Sequence, residues 1–227
     1  MNFPVLCLYP DRDTCAAELA QVLGARLRAD QLAGGRARLL LAGGQSPLPL
    51  LGRLAGEALD WSRVDLSPTD ERWVAADAAS SNLQLLRTAL PQARLLDPRQ
   101  GPTPEQAAQA WGEQLAGWLP LTAVLLGMGE DGHIASLFPG MPGLTAALAD
   151  GASPSALVGA APVAPQVRLS SNLALLLRSD WLGLLVFGGA KREVLEAVLA
   201  DQPETRQLPV HALVQQAGGR LQIHWAP

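Results

Sequence analysis

The amino-acid sequence predicts an α/β protein built on an open, mainly parallel sheet flanked by helices, and three observations carry that reading. Apolar runs of strand length, ARLLL at 37–41, LTAVLL at 121–126 and WLGLLVF at 181–187, are nearly unbroken. This is the pattern of strands covered on both faces rather than one. Helical periodicities lie between them. Each run then passes directly into glycines: AGGQSP at 42–47, GMGEDGHIASLFPG at 127–140 and GGAK at 188–191. Open α/β sheets bind their ligands at the C-terminal ends of the strands, so these loops are where function is expected.

In chain order, residues 3–9 read as a first strand, and Asp11 or Asp13 is placed to cap a helix in which Ala16, Leu19, Leu23 and Leu27 recur at helical spacing to about Arg28. Gly34 and Gly35 mark a turn, residues 37–44 a strand entering a glycine pair, and 48–59 a helix with Pro47 at its start, where a missing N–H costs little. RVDLSPTDERWV at 63–74 reads as a short strand ending in a polar loop that carries Asp70, Glu71 and Arg72. A helix at 81–90 with Ser80, Ser81 or Asn82 near its cap, a brief strand at 93–97 and a helix at 104–119 follow. Trp111, Leu115 and Trp118 share one face of the last of these, as core or interface residues. After the central glycine loop come a short helix near 143–149, strands near 156–161 and 167–171, and a leucine-rich segment at 172–178. The strand at 181–187, a helix to about Leu199, a helix at 209–217 and a strand at 220–225 complete the chain.

With 227 residues and no distinct linker, a single domain over 1–227 is expected. The net charge of −4 exerts no general pull toward nucleic acid or anionic membranes. The N-terminal MNFPVLCLY lacks the basic start and small-residue cleavage site of a signal peptide, and the expected location is the cytoplasm. Cys7 and Cys15 fall on a strand and a helix, which favours two thiols over a disulfide framework. Monomer and homodimer both remain open. Of 17 basic residues, 16 are arginine, and the lone lysine is Lys191, in the first turn of a helix just after a glycine pair.

Four sites far apart in sequence converge if the sheet is parallel: Gly43, Gly44 and Ser46; Asp70, Glu71 and Arg72; Asp131 with His133; and Lys191. Successive backbone N–H groups of the Gly43–Gly44 loop and a following helix N-terminus form a cradle for an anion. Arg168 and Lys191 are candidate clamps for a phosphate held there. His133 carries the side-chain type suited to taking a proton from water, and Asp131 is either the carboxylate that orients it or, in an Asp-Gly-His turn, a partner of the backbone. Walker A, GxGxxG and GxSxG patterns are absent, and His133, His211 and His224 form no metal-ligand spacing with one another or with the cysteines. No cofactor or metal is therefore expected. His211 and His224 read as surface or packing residues, and Ser136 as a nucleophile only if exposed on a sharp turn.

Taken together, LAGGQSP at 41–47, DERWV at 70–74 with Ser81 and Asn82 behind it, GMGEDGHIASLFPG at 127–140, PQVRLS at 165–170 and GGAK at 188–191 resemble the 6-phosphogluconolactonase family over nearly the whole chain. The resemblance implies a Rossmann-like sheet without a bound dinucleotide. It implies hydrolysis of 6-phospho-D-glucono-1,5-lactone to 6-phosphogluconate, with His133 as general base and Asp131 as its partner. Gly43, Gly44, Ser46, Arg168 and Lys191 would bind the phosphate, and Asp70 and Arg72 would line the site, Arg72 or backbone N–H groups around Gly129–Gly132 serving as oxyanion donors. The substrate implied is a small sugar-phosphate lactone, the partners exclude nucleic acid and membrane, and no cofactor is required.

The chain departs from the family pattern in VAPQVR at 163–168, which has fewer prolines than usual, and in Ser170, where threonine is common. The related glucosamine-6-phosphate deaminases continue their histidine loop into an asparagine–glutamate–proline segment whose carboxylate serves ring opening. Here Leu137 and Phe138 precede Pro139. That difference favours direct hydrolysis of an electrophilic lactone over a deaminase or isomerase. A non-catalytic phosphosugar sensor on the same fold would not need His133 in its glycine setting.

Overall fold

A computed structural model describes residues 3–227. Seven strands form a wholly parallel sheet in the order β1 (Val5–Leu8), β10 (Leu221–Ala226), β9 (Leu182–Phe187), β6 (Ala123–Gly127), β2 (Ala37–Leu41), β3 (Val64–Pro68) and β5 (Arg94–Leu95). From β2 the chain proceeds outward through β3 to β5. It then returns to β6 and runs the other way through β9 to β10. The direction reverses between β2 and β6, the position where open sheets form a ligand crevice.

Alternation along the strands shows why the apolar runs are unbroken, because successive side chains point to opposite faces. Leu40, Val124, Leu126, Leu184 and Val186 face one core, which is closed by α4 (Pro104–Ala116), α7 (Gly189–Leu199) and α8 (Pro209–Ala217). Leu39, Leu41, Leu125 and Leu185 face the other, closed by α1 (Arg12–Leu32), α2 (Leu48–Leu54) and α3 (Asn82–Ala89). The helix starts follow local chemistry: Asp11, Ser81 and Thr103 each accept a hydrogen bond from an N–H of the first turn. Trp111 is fully buried and its indole N–H donates to Ser67 Oγ at 3.0 Å. Trp61 is buried too, and Trp118 packs at the margin of the first core. Cys15 is buried on α1, and Cys7 lies half-buried on β1.

Several boundaries differ from the sequence expectation. Helix α1 continues to Leu32 rather than Arg28, α2 stops at Leu54 rather than Leu59 as Gly56 turns the chain, and α4 ends at Ala116 with Gly117 at its cap. The larger correction concerns Asp70–Arg72. These residues are not in a loop but form β4, which pairs antiparallel with β8 (Val167–Ser171), itself paired with β7 (Ala156–Ala160). Three residues are too few to show a period, and their pairing partner lies about a hundred residues away. The short helices α5 (Leu144–Ala147) and α6 (Leu173–Leu176) flank β7 and β8 in the chain. Among the described residues no helix is long and apolar enough to cross a membrane.

Of the two readings for His224, packing is the one found: it is 2% exposed on β10, with Nδ1 2.8 Å from the Tyr9 hydroxyl and Nε2 buried without a partner. Burial lowers its pKa from 6.5 to about 4. Between those values the unfolded chain holds a proton that the native chain does not, so stability is complete above the unfolded pKa and declines as the pH falls toward the folded one. The loss reaches about 3 kcal/mol. Urea midpoints measured from pH 7 to pH 4.5 should fall more for wild type than for His224→Gln. Parallel pH slopes would assign the acid sensitivity to other groups.

Candidate active site

The central glycine loop begins where β6 ends at Gly127. Gly129 N–H donates to the His133 carbonyl at 3.0 Å and Gly132 N–H to the Gly129 carbonyl at 3.1 Å, so the chain folds back on itself. A Cβ on residue 129 would stand 2.2 Å from His133 Nδ1 and 2.5 Å from Asp131 Oδ1. Only glycine leaves room for the imidazole and carboxylate to meet above the backbone. They meet at 2.6 Å, Nδ1 to Oδ1, and Asp131 also accepts the His133 N–H at 3.2 Å. That contact places the Nδ1 proton toward Asp131 and leaves Nε2 as the basic nitrogen. Phe138 lies against the ring, with centroids 4.4 Å apart.

His133 opens on a cleft of about 320 Å³ over the C-terminal ends of β2, β6 and β9. Gly43, Gly44, Ser46, Asp70, Arg72, His133 and Lys191 all line it. The converging loops read from the sequence therefore share one cavity. Lys191 sits in the first turn of α7, and α2 begins directly behind the Gly43–Pro47 loop. Asp131 stands behind His133 rather than in the wall.

Arg168 also lies behind the wall. Its backbone pairs with Arg72 across β8 and β4, its side chain is 7% exposed, and its Nε is buried without a partner. Burial lowers its pKa, the neighbouring Arg72 charge lowers it further, and Asp70 and Glu71 act in the opposite direction. Two adjacent guanidinium groups, one with an unsatisfied donor, make a site that favours an anion.

Asp70 is held in place by two hydroxyls, Ser136 Oγ donating to Oδ2 at 2.5 Å and Thr69 Oγ1 to Oδ1 at 3.2 Å. Ser136 is 1% exposed and so serves as this carboxylate's support, not as an exposed nucleophile. Asn82 is a wall residue whose role reached beyond its place beside the α3 cap. Its Nδ2 donates to the Asp70 carbonyl at 2.8 Å, and its Oδ1 accepts from Arg72 Nη1. A Cβ on residue 43 would stand 2.0 Å from that same Oδ1, so the first glycine of the 43–47 loop is required by Asn82. Gln45, Met128 and Ala135 complete the polar and apolar lining near the glycine loops. Ala135 has φ 47°, a left-handed conformation that a side chain makes costly.

Residues 10–225 match the family described as Glucosamine-6-phosphate isomerases/6-phosphogluconolactonase. The chain is 39% identical over 223 residues to 6-phosphogluconolactonase of Pseudomonas putida, covering 96% of this chain and 90% of that one. It is 38% identical over 219 residues to the 6-phosphogluconolactonase of Pseudomonas aeruginosa, covering 93% and 90%. The crystal structure of a 6-phosphogluconolactonase from Shewanella baltica OS155 superposes with a TM-score of 0.85 at 28% identity, covering 99% of this chain and 98% of that one. With the family match running almost from end to end and relatives of this similarity, the chain belongs to the glucosamine-6-phosphate isomerase/6-phosphogluconolactonase family, and within it to the 6-phosphogluconolactonases.

Proposed function

We propose that this enzyme hydrolyses 6-phospho-D-glucono-1,5-lactone to 6-phospho-D-gluconate, the second step of the oxidative pentose phosphate pathway, by water that His133 activates. The observation that carries the mechanism is the His133–Asp131 contact of 2.6 Å at the mouth of a cleft that also holds the Gly43–Gly44 loop and Lys191. Nε2 of His133 takes a proton from water as the water oxygen bonds to the lactone carbonyl carbon. Asp131 stabilises the imidazolium that forms. The carbonyl electrons move onto oxygen, and Arg72 with backbone N–H groups at Gly129–Gly132 supplies donors for that oxyanion. Collapse breaks the bond from carbonyl carbon to ring oxygen, and the ring oxygen takes the proton back from Nε2 to become a hydroxyl. No redox change is involved, and water is the co-substrate.

In this reading the Gly43–Gly44 backbone, Ser46 and Lys191 hold the phosphate, Arg168 with its unpartnered Nε adds positive charge from behind Arg72, and Asp70 accepts from a substrate hydroxyl. The described residues 3–227 act as one α/β domain without a dinucleotide. Leu137 and Phe138 are both buried where a deaminase would carry its ring-opening carboxylate, and this favours hydrolysis. Initial rates on freshly generated phosphorylated lactone should exceed the spontaneous rate and the rate on unphosphorylated gluconolactone. Arg168→Ala and Lys191→Ala should each raise KM for the phosphorylated lactone roughly 10–100-fold, with a smaller change in kcat. Equal preference for the two lactones in wild type would sink the phosphate assignment, and no rate above the spontaneous one would sink the lactonase.

A further inference from the structure

Beneath the cleft lies a buried ionic network that touches none of the reacting atoms. Arg99 follows β5 and keeps its side chain 7% exposed. Its fork closes on Asp97, with Nε to Oδ1 at 2.9 Å and Nη2 to Oδ2 at 3.2 Å. The remaining nitrogen, Nη1, donates to the carbonyls of Val74 and Ala75, each at 3.3 Å, and to Ser81 Oγ at 3.1 Å. It also stands 3.8 Å from Glu71 Oε2. One guanidinium thus joins the loop after β5, the chain leaving β4 and the start of α3.

The consequences for the cleft pass through protons. Ser81 Oγ receives hydrogen bonds from Arg99 Nη1 and from Gln84 N–H, so its own proton is directed to Glu71 Oε2 at 2.9 Å. Glu71 is fully buried and accepts in addition the N–H groups of Arg72 at 2.7 Å, Asn82 at 2.8 Å and Leu83 at 2.7 Å. Asn82 is thereby set at one position and, with Nδ2 committed to the Asp70 carbonyl, presents Oδ1 to Arg72 Nη1. The Ser80 carbonyl accepts from the same nitrogen at 2.9 Å. Arg72 needs such a tether. It faces Arg168 across the β4–β8 pair, and a long cation beside a like charge swings toward water unless its donors are fixed.

We propose that Arg99 is a positioning residue for Arg72: acting through Ser81, Glu71 and Asn82, it holds the Arg72 guanidinium in the wall of the cleft. The catalytic consequence rests on the lactonase reading of that cleft; the positional consequence does not.

The test compares wild type, Arg99→Lys, Arg72→Ala and the double variant. Lysine keeps the charge but cannot make the two-pronged contact with Asp97 and also reach Ser81. Arg99→Lys should lower kcat/KM about tenfold, through whichever of kcat and KM Arg72→Ala affects, and the loss should vanish in the Arg72→Ala background. A crystal structure of Arg99→Lys should show Arg72 Nη1 withdrawn from Asn82 Oδ1. The same loss in both backgrounds, unchanged kcat and KM in Arg99→Lys, or Arg72 still seated on Asn82 in that crystal would each overturn the proposal. Unchanged kinetics in Arg72→Ala would overturn the catalytic consequence. Absence of lactone turnover in wild type is a failure of the lactonase reading alone, since the crystallographic position of Arg72 decides the positioning role without any assay of activity.

Discussion

His133→Ala is expected to lower kcat on 6-phosphogluconolactone by about 10²–10⁴-fold, the span typical of losing a general base, while KM and the melting temperature change little. The separation follows from the position of the side chain. The imidazole is 30% exposed and bonds to Asp131 alone among the described side chains, so its removal uncovers no large apolar surface beyond the adjacent face of Phe138. The phosphate and hydroxyl contacts assigned to the other loops are untouched. Asp131→Ala should cost less than His133→Ala, because Asp131 is 44% exposed and water can take its place at Nδ1. The assay is the initial rate above spontaneous hydrolysis under saturating lactone. A His133→Ala rate within about twofold of wild type, against the expected range, would place the base elsewhere in the cleft.

Glu71→Ala is expected to destabilise the fold by about 3–5 kcal/mol, the cost of removing one partner from a buried charged network. The residue is fully buried, and its two oxygens accept from three backbone N–H groups and the Ser81 hydroxyl. Alanine would leave without an acceptor the N–H groups of Asn82 and Leu83 at the start of α3 and that of Arg72 on β4, and would leave Arg99 with Asp97 as its remaining carboxylate. Glutamine should fare poorly too, because its NH2 turns a donor toward donors. Urea denaturation measures the change as a fall in midpoint at unchanged slope. A loss below about 1 kcal/mol, that of a single ordinary hydrogen bond, would mean that water enters and satisfies these groups.

The two residues show why the sequence was readable at one and not at the other. His133 is set by its neighbours in the chain: the glycines at 129 and 132 and the carboxylate at 131 are local, and their geometry is the geometry of one turn. Glu71, read from sequence, is one of three polar residues at the end of a short strand, grouped with Asp70 and Arg72 toward the crevice. Its burial depends on α3, on the loop carrying Arg99 and on β8, none of which is adjacent to it in the chain. Arg168 differs in the same way. Its candidacy was visible, but its place behind Arg72, with an unsatisfied nitrogen, follows from a cross-strand register.

The sequence by itself determined the parallel α/β class, most helix starts and the set of loops that form the cleft. Runs buried on two faces, capping side chains and glycines after strands are signals carried within one element and its immediate flanks. Tertiary structure decided the second sheet, the burial of His224 and Glu71, the support of Asp70 by Ser136, and the contact between Gly43 and Asn82. Each of these depends on which distant segments pack together, and a hydrogen bond or ion pair across such a gap leaves no period in the chain that could announce it.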